Sequence, residues 1–134
     1  MQVQPYLFFE GRCEEAFEFY RKTLGAEKVM FMRFKDSPDP AMCPDASKEK
    51  VMHMSFRIGE NILLASDGHC GGKLDFQGFG LSITVTNDAE AEKKFAALSE
   101  GGQVRMPLTK TFYSSRFGMV ADQFGVLWMI MVGQ

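Results

Sequence analysis

An α+β fold built from two βαβββ modules is the architecture this sequence predicts, and two observations carry it. Apolar hairpins stand in corresponding places of the two halves: VMHMSFRI, Gly59-Glu60 and NILLASD in the first, and FGMVADQFGVLWMIMV at Phe117–Val132 in the second. Each half also opens with a short strand and one amphipathic helix, so that both read strand, helix, three strands. Neither half could bury its sheet alone, so the two must pack together or join edges.

The first strand is Val3 to Phe9, with Pro5 tolerable near its beginning or on an edge. A helix follows from about Arg12 to Leu24. Cys13, Ala16, Phe17, Tyr20 and Leu24 recur at steps of three and four and form one apolar stripe. Glu14 and Glu15 in its first turn and Arg21 and Lys22 in its last suit the helix dipole, and Gly25 is the stop. Val29 to Phe34 is the next strand. Lys35 to Lys50 carries Pro38, Pro40 and Pro44 among charged and small residues, an exposed loop readable as a lid, a dimer arm or a plain insertion. The hairpin Val51–Asp67 comes next, and the small-residue loop Asp67 to Gly72 leads out of it.

The second half begins with a strand at Leu81 to Thr86. Asn87 is a good N-cap, and Glu90 three residues on makes a capping-box pattern. That helix, running to about Glu100, buries Ala91, Phe95 and Leu98 and ends at Gly101-Gly102. Gln103 to Thr109, Phe117 to Ala121 and Val126 to Val132 complete the module. In the closing hairpin Gly125 supplies a positive φ and Asp122 a carboxylate that bonds the backbone two residues on. Its last strand is apolar throughout, which predicts an interior strand covered on both faces.

Composition narrows the function classes. The chain has 134 residues, one domain by length, and 46% hydrophobic with 24% charged residues is the ordinary globular range. A net charge of −2 offers no basic field for nucleic acid or anionic lipid. No apolar run approaches the roughly 20 residues of a membrane span, and no basic segment opens the chain as in a signal peptide. Cys13, Cys43 and Cys70 are odd in number and lack a CxxC spacing, which fits reduced thiols in a cytoplasmic protein. His69-Cys70-Gly71-Gly72 has too few donors for a metal site and reads as a loop. The glycines of GHCGG and FGFG form no GxGxxG after a strand, so no nucleotide site is indicated.

Several segments, in order and at matching spacing, resemble the PhnB-like branch of the vicinal oxygen chelate superfamily, which includes glyoxalase I, bleomycin-resistance proteins and extradiol dioxygenases. They are PYLFFEG at 5–11, FYRKTLGAE at 19–27, HMSFRI at 53–58, SD at 66–67, TF at 111–112 and DQFGVLWMI at 122–130. The resemblance implies a single glyoxalase/bleomycin-resistance-like domain over 1–134, with modules about 1–70 and 76–134. It also implies mixed sheets curled into a cleft, helices on the outer face, and a homodimer. In metal-dependent members four His or carboxylate ligands polarise vicinal substrate oxygens. The similarity places those positions near Pro5, Leu64, Gly80 and Met129, and none of these side chains holds a metal. The neighbours Gln4, Tyr6, Leu63, Ala65, Leu81, Trp128 and Ile130 do not restore the set. No metal and no other cofactor is therefore expected.

Strand parity gives a second route to the cleft. Met52, Met54, Phe56 and Ile58 share one face of their strand, and Leu81, Ile83 and Val85 one face of theirs. These apolar rows face the helices, so the alternate rows line the cleft. The predicted lining is His53, Ser55, Arg57, Leu64, Ser66, Ser82, Thr84 and Met129, apolar walls with a few polar groups, as suits a small organic ligand. His53 reads either as a general base or lone metal ligand, or as a structural histidine bonded across the sheet. Arg57 reads as a clamp for carboxylate or phosphonate, or as a solvated edge residue. Trp128, on one face with Val126 and Ile130, reads as core.

Two function classes follow. The first is a binding or sequestering protein without the four-ligand metal site. The second is a metal-dependent lyase or dioxygenase-type enzyme with a relocated site that includes His53. PhnB-like chains also carry a ubiquinone methyltransferase label, but no glycine-rich strand-to-helix loop for S-adenosylmethionine is visible. The expected partners are a small-molecule ligand and a second copy of the chain, with no nucleic acid or membrane.

Overall fold

A computed structural model describes residues 1–38, 48–68 and 73–133 of the chain. The chain divides into two compact units, Met1–Leu74 and Asp75–Gln134. The first contains β1 (Tyr6–Phe8), α1 (Cys13–Leu24), β2 (Glu27–Arg33), β3 (Val51–Ile58) and β4 (Asn61–Ser66). The second contains β5 (Leu81–Val85), α2 (Asp88–Ser99), β6 (Gln103–Thr109), β7 (Phe117–Ala121) and β8 (Leu127–Val132). Each unit is thus a βαβββ module, as the duplicated pattern predicts. A short 3-10 turn, Phe34–Asp36, follows β2. Most of the predicted loop Lys35–Lys50, and the His69-Cys70-Gly71-Gly72 segment, lie outside the described residues.

The two sheets repeat one topology, β1-β4-β3-β2 and β5-β8-β7-β6, both open. In each, the first and last strands of the module pair in parallel and the remaining neighbours are antiparallel. The sheets are therefore mixed, with helices supplying the chain reversal that a parallel pair requires.

In the first unit α1 lies on the face carrying Leu7, Met54, Phe56, Leu63 and Ala65, all buried. Phe56 stands edge-on to Phe17 at 5.7 Å and stacks with Tyr20 at 6.1 Å. The predicted stripe of α1 is the buried one, and its C-terminus closes at Gly25, whose N–H donates to Arg21 O. In the second unit α2 contacts all four strands and buries Ala91, Phe95 and Leu98. A Cβ on Gly118 of β7 would lie 2.8 Å from the Phe95 ring, so only glycine admits so close an approach. Asn87 caps α2 by accepting from Glu90 N at 2.8 Å. The Glu90 carboxylate, however, reaches the Thr86 hydroxyl at 3.4 Å, so the reciprocal half of the capping box is replaced by a side-chain contact.

The turn Asp122–Gly125 forms as its residues predict. Gly125 has φ 93°, and Asp122 Oδ1 accepts from Phe124 N at 2.9 Å and Val126 N at 3.1 Å. Asp122 Oδ2 accepts from Trp128 Nε1 at 2.8 Å, fixing the buried indole on the helix side. One expectation is corrected here. β8 lies inside its sheet, between β5 and β7, but only one face is fully covered, because Leu127, Met129 and Met131 remain half-buried.

Candidate functional site

The face of the first sheet turned away from α1 gathers the chemistry of that unit. Strand alternation puts His53, Ser55 and Arg57 of β3 on this face. Register adds the rest: Ser55 is opposite Leu64, which pairs with Tyr6, while Ser66 pairs with Phe8. On the other side of β3, Met30 is opposite Ser55 and Met32 opposite His53. All the unit-one residues proposed from parity thus share a face, and Ser55 and Ser66 are buried on it.

At the centre of this face Tyr6 Oη and His53 Nδ1 are hydrogen-bonded at 2.8 Å, their rings 5.5 Å apart. Tyr6 also stacks on Phe8 with centroids 4.8 Å apart and planes at 27°. Burial pushes the Tyr6 phenol above its ordinary pKa; a hydrogen bond with Ser66 opposes the shift, and the nearby Cys13 adds to it. The phenol is therefore protonated at neutral pH. With its O–H donating to Nδ1, the proton of a neutral imidazole sits on Nε2, which has no protein partner among the described residues. His53 thus has a free N–H donor in this tautomer and an acceptor in the other.

Tyr6 was not among the residues that parity singled out. The sequence shows β1 as an apolar run, and nothing local reveals that β1 pairs with β4, some sixty residues later, or in which register. The one usable signal is the alternation of Tyr6, Leu7, Phe8 and Phe9. Leu7 and Phe9 are buried, whereas Tyr6 and Phe8 are exposed.

Behind the dyad, Asp67 fixes the corner. Its buried carboxylate accepts from Gly11 N at 3.0 Å and Cys13 N at 2.7 Å through Oδ1, and from Val51 N at 2.7 Å through Oδ2. Two of those donors lie at the start of α1, where a negative charge is favourable and backbone N–H groups need acceptors. Cys13 itself is buried and its thiol is pushed far up by that burial, with Asp67 and Glu14 adding to the effect. It stays a thiol and is no nucleophile.

In the second unit, Ser82 and Thr84 of β5 lie on the face away from α2, opposite Met129 and Met131 of β8. Met119 stands opposite Met129 on the β7 side. Both hydroxyl residues are exposed and both β8 methionines half-buried. Arg57, at the end of its row, faces Glu27 at 3.8 Å.

The four positions at which the resemblance implies metal ligands, Pro5, Leu64, Gly80 and Met129, carry no side chain that binds a hard cation. Leu64 donates its N–H to Pro5 O at 3.0 Å, but its side-chain neighbour on β1 is Tyr6, since Pro5 precedes the strand. Gly80 lies against Leu127, and Met129 is opposite Ser82. Phenol, alkyl, glycine and thioether do not make a site for a hard divalent ion. Among the described residues no three His, Cys, Asp or Glu side chains converge on a common point. No helix among them is long and apolar enough to cross a membrane.

The sequence model of a protein family described as 3-demethylubiquinone-9 3-methyltransferase matches residues 1–131. Protein YjdN of Escherichia coli K12 is 34% identical over 140 residues, covering 98% of this chain and 95% of that one. The crystal structure of PA1353 from Pseudomonas aeruginosa superposes with TM-score 0.87 at 42% identity, covering 100% of this chain and 98% of the other. A Bacillus cereus protein titled putative 3-demethylubiquinone-9 3-methyltransferase, PhnB protein, gives TM-score 0.83 at 26% identity, covering 99% and 100%. The fosfomycin resistance protein FosX of Mesorhizobium loti shares the fold, with TM-score 0.67 at 11% identity over 100% of this chain and 92% of that one.

Proposed function

Because the chain belongs to the PhnB-like family and shares its fold with vicinal oxygen chelate proteins, we propose that it binds a small organic molecule on the Tyr6–His53 face of its first sheet, without a four-ligand metal. The observation that carries this reading is the 2.8 Å hydrogen bond between Tyr6 Oη and His53 Nδ1. It orients an imidazole on a sheet face and leaves Nε2 available to a ligand. Ser55 and Ser66 flank it as further polar groups, and Leu64, Met30 and Met32 supply apolar contact, the mixture typical of small-molecule sites.

The alternative, a metal-dependent lyase or dioxygenase at a relocated site, needs donors around His53. Its neighbours are a phenol and a hydroxyl, which disfavours it. The methyltransferase in the family's description is also disfavoured. The chain passes from strand to long helix at Phe9–Arg12 and at Thr86–Asn87, and neither connection is the glycine-rich turn that cradles a nucleotide-like cofactor.

A thermal-shift screen of neutral and anionic small molecules tests the proposal. The expected result is saturable stabilisation of the wild type, lost in His53→Ala and weakened in Ser66→Ala. Hits that bind His53→Ala with unchanged affinity would place the ligand elsewhere. Protein purified without chelator is expected to hold no stoichiometric divalent ion. Close to one metal per chain, lost together with activity on chelation, would favour the enzyme reading.

A further inference from the structure

Resting on that site, we propose that the ligand is a neutral planar aromatic molecule with an oxygen substituent, a phenol or aryl carbonyl, which stacks on the Tyr6–Phe8 shelf and bonds His53. Three observations converge on this class. The stacked pair Tyr6 and Phe8 is 37% and 51% exposed, and Met30 on the same face is 41% exposed. Exposed aromatic faces and thioether sulfur favour another π-system over a saturated skeleton. The Tyr6 and Ser66 hydroxyls at the shelf are engaged with one another and with His53 and Gly68, so the imidazole Nε2 is the polar group left to meet one hydroxyl or carbonyl oxygen.

Charge decides between a neutral ligand and an anion. Arg57 is the cation of the His53 row, and it stands four residues along β3 from His53, about 13 Å away at strand rise. Its guanidinium already faces Glu27 at 3.8 Å. A carboxylate or phosphonate held at His53 would therefore have no guanidinium of its own strand row beside it. An anion desolvated against Phe8, Met30 and Leu64 would lose hydration without the bidentate guanidinium partner that best repays it. A neutral hydroxyl or carbonyl loses far less and is satisfied by Nε2.

Calorimetric titration with 2-naphthol, 2-naphthoate and 2-decalol separates the classes. The expected result is saturable binding of 2-naphthol, with the anion and the saturated alcohol each at least about tenfold weaker. Phe8→Leu is expected to weaken 2-naphthol by about tenfold and Phe8→Trp to restore it; Phe8 is half-exposed, so both variants should fold. Tight binding of 2-naphthoate in preference to 2-naphthol, lost in His53→Ala, would overturn the neutral class and leave the His53 site standing. Failure of 2-naphthol to bind at all, or equal binding to the wild type and Phe8→Leu, would overturn the shelf. Unchanged 2-naphthol affinity in His53→Ala would count against the site itself.

Discussion

His53→Ala separates a ligand-facing histidine from a structural one, and the structure sets the size of the difference. The group left behind is Tyr6 Oη, on a residue 37% exposed and with Ser66 as a second neighbour. Water can therefore replace the imidazole, so the change removes one ordinary hydrogen bond, about 0.5–1.5 kcal/mol, and strands no buried group. Placing alanine in a strand adds a few tenths. The expected cost is about 1 kcal/mol, or about 4 °C in Tm for a chain of this length. A structural histidine with a buried partner would cost up to about 3 kcal/mol for that stranded group alone. Urea titration by far-UV circular dichroism measures the cost. Fluorescence of Trp128, the single tryptophan, reports the second unit separately. A cost near 3 kcal/mol with ligand affinity unchanged would refute the functional reading of His53.

Three further predictions test the frame and the assembly. Asp122→Asn keeps one oxygen for the Phe124 and Val126 amides but turns an amide NH2 toward Trp128 Nε1, and should cost about 2–3 kcal/mol. Combined with Trp128→Phe, which removes the opposing donor, the costs should fall short of additivity by about 1 kcal/mol, and strict additivity would show that the bond is not stabilising. The Arg33 guanidinium grips Glu14 at 2.8 and 3.1 Å and holds its carboxyl below the usual range, so this stabilisation is full above the ordinary carboxylate pKa and is lost as pH falls through the lowered one. The stability gap between wild type and Glu14→Gln should accordingly close on acidification; a gap independent of pH would disprove the linkage. Edge strands β2 and β6 expose Val29, Val104 and Met106, and light scattering at micromolar concentration should give a homodimer of about twice 15.1 kDa, a monomer being the contrary result.

The legible part of the fold was that governed by local pattern. Repeats, caps and parity located both helices, the Asp122 turn and the helix-facing rows, because each depends on residues within a few positions of one another. The sequence pattern extends β1 over Val3 to Phe9, whereas the strand spans Tyr6–Phe8, since strand length depends on a partner that sequence does not reveal. The same nonlocal register concealed Tyr6. The unbroken apolar run of β8 predicts cover on both faces. Yet Met129 and Met131 stay half-buried, and an apolar side chain need not be a covered one.

Asp67 gives the dyad a rigid footing. β1 is three residues long and is an edge strand whose one neighbour is β4, so the position of Tyr6 is only as well defined as that of β4. β4 ends at Ser66, and the next residue is pinned through its carboxylate to Gly11, Cys13 and Val51, and through its own N–H to Val51 O at 2.8 Å. One buried side chain thus joins the end of β4, the start of α1 and the start of β3, two residues before His53. Both halves of the hydrogen-bonded pair are tied to the same corner. Fixing polar groups in advance reduces the ordering cost of binding, and buried hydrogen bonds behind the ligand-facing groups are what hold them in place. Asp67→Asn should therefore weaken ligand binding even though Asp67 is buried and does not itself line the shelf.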